Sequence, residues 1–206
     1  MKTKFLKLAG LTMTVAALGT SAYATPIGTL TLSDNAGNTS GPIVTTGAGA
    51  LSYVGTIGGW TLNIASGIEN GSSTAPALIL SSLNANFSDS TIGNVLTIEF
   101  TMSDVGPLAG TFNNNVTALV SGVAVTFDVL VDGSPISVPT GASTGSTTGA
   151  TSIGIRATLT ASSGSGLANI SDLLTDPPSV PDGGTTVLLL GAALSAIGLF
   201  RKKMLA

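Results

Sequence analysis

The strongest constraint on the fold is an alternation of apolar and polar residues with a period of two. In Val95–Ser103, Leu96, Ile98, Phe100 and Met102 fall on one side, and Thr97, Glu99, Thr101 and Ser103 on the other. Side chains of an extended strand point alternately to opposite faces, so such a run buries one face and wets the other. Gly122–Asp132 repeats the pattern with Val123, Val125, Phe127, Val129 and Val131, and Thr151–Ser162 with Ile153, Ile155, Ala157, Leu159 and Ala161. Gly59–Ala65 adds Trp60, Leu62 and Ile64, and Ala77–Leu83 is a short apolar run suited to cover on both sides. Weaker strand patterns lie at Gly28–Ser33, Leu51–Ile57, Val116–Val120 and Pro135–Val138. Eight or nine strands punctuated by Gly, Asn and Ser predict an all-β body over residues 25–175, an antiparallel β-sandwich or jelly roll. Thr140–Ser152, rich in Thr, Ser and Gly, reads as a low-complexity loop, and Leu167–Leu174 as one helical turn before a linker.

Charge separates this body from its ends. The chain of 206 residues has ten acidic and seven basic side chains. Lys2, Lys4 and Lys7 stand at the N-terminus, Arg201, Lys202 and Lys203 at the C-terminus, and Arg156 alone between. All ten acids lie in that middle stretch. An anionic body repels phosphate backbones, so nucleic acid is excluded as a partner. The chain has no Cys and no His, which removes disulfides, Cys/His zinc sites and Ser-His-Asp or Cys-His catalysis.

Residues 1–24 have the three-part layout of a secretory signal peptide: a basic start, an apolar stretch from Leu8 to Leu18, and a polar end with Ala22 and Ala24 in the A-x-A spacing that signal peptidase reads. At the other end, residues 176–206 form a linker and a tripartite tail. Val180-Pro181-Asp182-Gly183-Gly184-Thr185-Thr186 precedes a Leu- and Ala-rich segment, Val187–Phe200, and the Arg201-Lys202-Lys203 cluster follows at once. Counted from Thr185, residues 185–200 predict one short transmembrane helix, slightly below the roughly 17–25 residues that usually span a bilayer. The basic cluster predicts a stop-transfer end held in the cytoplasm. Pro181 disfavours helix in the residue before it, and Gly183 and Gly184 are pliable, so Val180–Gly184 is suited to entering a protease cleft as an extended strand.

This tail resembles the PEP-CTERM class of exosortase sorting signals, closest to the variant written VPDSG, with Gly183 in place of its Ser. The resemblance implies a Gram-negative-type bacterium and an exosortase, a membrane-embedded cysteine protease that recognises Val180, Pro181, Asp182, Gly183 and Gly184. It further implies a body held at the cell membrane before processing and then passed to the cell surface or extracellular matrix.

The residues of the body offer little for catalysis. Its two Glu are Glu69, in a Gly-rich turn, and Glu99, on an outward strand face. Asp128 and Asp132 fall on or beside one strand, while Asp89 and Asp104 sit near turns. Asp and Asn at such places ordinarily cap the backbone. Asp34-Asn35-Ala36-Gly37-Asn38 and Asp132-Gly133-Ser134 present hard oxygen ligands of the kind calcium takes, without EF-hand spacing. Trp60 and Tyr53 share the phase of Leu62 and Leu51, which places both toward the core and not as stacking platforms for sugars. The expectation is an exported structural or adhesive protein without catalytic residues or an obligate cofactor. A module holding exopolysaccharide is the alternative, and a glycan-active enzyme the third reading.

Overall fold

The computed structural model describes residues 25–68, 77–175 and Gly191. The chain divides into two units, Tyr23–Ser179 and the termini Met1–Ala22 with Val180–Ala206; of the second, only the helical Gly191 is among the described residues. The first unit is all-β. Its strands are β1 (Ile27–Asp34), β2 (Thr39–Thr46), β3 (Ala50–Ile57), β4 (Trp60–Ile68), β5 (Ala77–Ser88) and β6 (Val95–Ser103). They continue as β7 (Leu108–Ser121), β8 (Val123–Val131), β9 (Ser134–Val138), β10 (Gly141–Ala150), β11 (Ile153–Ala161) and β12 (Ser165–Thr175).

Two six-stranded sheets result, both antiparallel throughout. Sheet A runs β2-β1-β6-β11-β8-β9 and sheet B runs β10-β7-β12-β5-β4-β3. The pairings are nested: β5 with β12, β6 with β11, β7 with β10, and β8 with β9. Successive pairs fall alternately in sheet B and sheet A, as though one long hairpin had been folded over itself. The hairpin β1–β2 extends sheet A beyond β6, and β3–β4 extends sheet B beyond β5.

The alternation decides what meets in the middle. Leu96, Ile98, Phe100 and Met102 of β6 are buried, as are Ile153, Ile155, Ala157, Leu159 and Ala161 of β11. From sheet B come Trp60, Leu62 and Ile64 of β4, Phe87 of β5 and Phe112 of β7, all in the same hydrophobic cluster. The Trp60 and Phe87 rings lie 4.9 Å apart and tilted, the offset geometry that aromatic pairs favour. At the β8–β9 hairpin, Asp132 and Gly133 both have positive φ, 47° and 77°, which is what a two-residue turn matching the strand twist requires.

Several expectations are corrected. Among the described residues there are twelve strands, not eight or nine. Thr140–Ser152 is mostly strand β10, not a loop. Its inward positions are Gly, Ser and Thr, which carry no hydrophobic alternation, and they are small because the Phe112 ring lies over Gly145. Leu167–Leu174 is part of strand β12, not a helical turn. There Asp172 occupies an inward position among Ala168, Ile170 and Leu174 and breaks the apolar pattern. Strand β2 is largely polar on both faces and left no period to read.

Candidate functional site

Ala22 and Ala24 of the expected signal-peptide cleavage site, the motif Val180–Gly184 and the basic residues Arg201, Lys202 and Lys203 lie outside the described residues, as does Glu69. So does the segment 185–200 expected to cross the membrane, apart from Gly191. Among the described residues no helix is long and apolar enough to cross a membrane.

Within the body, three charged side chains meet on the outer face of sheet A. Arg156 pairs in register with Glu99 on one side and Asp128 on the other. Its Nε donates to Glu99 Oε1 at 2.6 Å, and an Nη lies 3.9 Å from Asp128. The body's one cation thus stands between two carboxylates carried on the strands either side of it. They do not face each other across a groove, which is the arrangement a glycosidase uses.

The oxygen-rich turns use their carboxylates for backbone hydrogen bonds, Asp34 within its own turn and Asp132 across to the turn between β10 and β11. Asp34 accepts from the backbone N–H groups of Ala36 and Asn38 and from the Asn38 amide, and these bonds hold its carboxyl below the ordinary value. Asp132 accepts from the N–H groups of Thr151 and Ser152, with the same result. Asp89 accepts from the Thr91 N–H in its own turn. These are the caps expected of Asp at strand ends. Among the described residues no group of three or more acidic side chains converges as a metal site.

The aromatics point inward. Trp60 is fully buried and its Nε1–H donates to Asn94 Oδ1 at 2.9 Å. Tyr53 is half-buried and packs against the core.

Sheet B has a different outer face. Of its six strands only Asp172 is charged, and Asp172 faces inward. The outward positions are Asn, Thr and Ser with a few apolar side chains. Asn63, Asn84 and Asn169 form one continuous cross-strand row, flanked by the exposed Val54 and Leu119. A groove of about 310 Å³ runs over Asn113, Asn115, Thr144, Leu173 and Thr175. This is a surface of donors and acceptors without charge.

Beneath it lies the feature that sequence reading missed. Asp172 and Asn114 are both inward and 2% and 1% exposed. Both Asp172 carboxyl oxygens, both Asn114 amide atoms and Ser143 Oγ are buried without a hydrogen-bond partner. Burial pushes the Asp172 carboxyl up to about 7; the neighbouring Asn114 amide pulls it back in part, although the two make no hydrogen bond of full geometry. The alternation of Ala168, Ile170, Asp172 and Leu174, read as a strand, would have exposed it.

Comparison with known proteins places the recognisable part of the chain at its C-terminus. The family model described as "VPDSG-CTERM motif" matches residues 179–204, a C-terminal sorting signal related to PEP-CTERM. No curated protein matches the chain. Among solved structures, the chain is similar to one titled "Structure of infectious bursal disease virus Gx strain", with 12% identity and a TM-score of 0.25. That similarity covers 76% of this chain and 52% of the viral one, so the chain spans about half the length of that relative.

Proposed function

We propose that this is an exported bacterial envelope or matrix protein, sorted by an exosortase-type protease through Val180–Gly184, with a structural or adhesive jelly-roll sandwich as its body. The observation that carries this reading is the sorting-motif match over residues 179–204, which includes the motif, the apolar segment and the basic cluster in order. The signal-peptide pattern at residues 1–24 supplies the export step that such a tail needs. The apolar segment and Arg201–Lys203 hold the chain in the membrane until the protease acts. The body suits a passive role: its aromatics pack against the core, and its described carboxylates other than the exposed Asp104 cap turns, flank Arg156 or are buried.

A second reading, glycan binding, is favoured by the uncharged Asn- and Thr-lined groove on sheet B. Amide side chains both donate and accept, as a ring of sugar hydroxyls requires. The groove presents no exposed aromatic ring, so binding of this kind would rest on hydrogen bonds.

The test replaces Pro181 and Gly183 together by Ala in the full chain in its host. Retention of an unprocessed chain in the membrane fraction supports the sorting reading. Unchanged release overturns it.

A further inference from the structure

The four outer strands of the two sheets are protected unequally. Sheet A ends in β2, which contains Pro42, and in β9, which is five residues long and contains Pro135. Proline withholds an N–H, and short strands offer little ladder, so both are devices that keep an edge from recruiting another strand. Sheet B ends in β3, of eight residues, and in β10, of ten. Neither contains Pro or a charged side chain. Among the described residues β3 pairs only with β4, and β10 only with β7. Val54, at the middle of β3, is 77% exposed.

The directions of these edges are complementary. Five successive antiparallel pairings separate β10 from β3 across sheet B, so the two edge strands run in opposite senses. A second copy displaced along the sheet, without turning over, brings its β10 beside β3 of the first in antiparallel orientation. Such a contact leaves an open β10 at one end and an open β3 at the other, so it repeats instead of closing. No like charges meet at the seam, because neither strand has any.

We propose that the partner of these edges is a second copy of this chain, joined β3 to β10 by backbone hydrogen bonds into a head-to-tail filament with sheet B continuous along it. The contact is strand addition, with main-chain pairing supplying affinity and the Pro-bearing edges of sheet A restricting growth to one sheet. This inference goes beyond the sorting reading and does not depend on tail processing.

The chain's lack of Cys makes the test direct. V54C and S146C are introduced separately into the full-length chain, purified in detergent and gently oxidised; T144C and T148C cover the adjacent registers. Head-to-tail pairing predicts a disulfide-linked dimer when a β3 variant is mixed with a β10 variant, a ladder when one chain carries both, and monomer from either alone. In the unmodified chain, light scattering should show mass rising with concentration, and V54K with S146K should abolish the rise. The emission of Trp60 and the β circular dichroism signal, unchanged in these variants, confirm that they are folded. A chain that stays monomeric and uncrosslinked overturns the proposal. Dimers from S146C alone overturn it, as they would show like edges pairing. Association that persists in the V54K/S146K chain also overturns it, locating the contact elsewhere.

Discussion

Asp172 and Asn114 stand on neighbouring strands with both side chains turned into the interior, diagonal to one another and two residues out of direct register, since Asp172 pairs with Val116 and Asn114 with Leu174. Neither side chain finishes its hydrogen bonds. An unpaired buried charge is far costlier than an unpaired neutral group, which is why the carboxyl holds its proton to about pH 7.

The sign of the resulting pH dependence follows from linkage. The folded state holds the Asp172 proton more tightly than the unfolded chain, whose carboxyl titrates near 3.8. Its contribution is therefore full below pH 3.8 and is lost as pH rises to about 7, levelling off above that. The loss is about 4 kcal/mol at 1.4 kcal/mol per unit. D172N should be more stable than the parent at pH 8 and should flatten this slope. Urea unfolding at pH 4, 6 and 8 measures both, and parallel curves for the two chains would contradict the account.

Gly145 lies under the Phe112 ring, where a methyl group would overlap its far edge. G145A should cost about 1–3 kcal/mol by forcing the ring or β10 to shift. S146A, one residue on and facing solvent, should fall within about 0.5 kcal/mol of the parent. Equal melting temperatures for the two variants would show that the ring yields freely.

Trp60 donates its indole N–H to Asn94, which is itself 8% exposed. W60F should cost about 1–3 kcal/mol, because it leaves the Asn94 oxygen buried without its donor and opens a small void. As the chain has one Trp, the parent's emission should be blue-shifted and resist iodide quenching. Ready quenching would place the ring at the surface.

Arg156 is about a quarter exposed in its pairing with Glu99 and Asp128. R156A should cost about 1 kcal/mol or less, with a larger effect at low salt. Stability titrations in 20 mM and 500 mM salt, about fivefold apart in Debye length, separate this from lost packing. A cost independent of salt would assign the effect to the aliphatic stem.

What could be read beforehand follows from where period two survives. β6, β8 and β11 pack most of their large apolar side chains on one face, so their phase and extent stood out in the sequence. β10 fills the same kind of inward positions with Gly145 and Thr147, whose size is set by Phe112 on another strand and is invisible locally. β12 was obscured by Asp172, since an acid at an inward position looks like a break in the pattern. The cap at Asp34 was legible because an Asx turn is local chemistry, whereas the Asp132 carboxylate bonds Thr151 and Ser152 in a turn 19 and 20 residues further along the chain. The Glu99–Arg156–Asp128 row was not, because it depends on the register of three strands far apart in the chain.

The central claim concerns the fate of the tail, and the intact mass and location of the mature protein in its native host test it most directly. The account predicts a product outside the cell that lacks residues 1–24 and ends within Val180–Gly184. A product that stays in the membrane and still carries Arg201, Lys202 and Lys203 would contradict it.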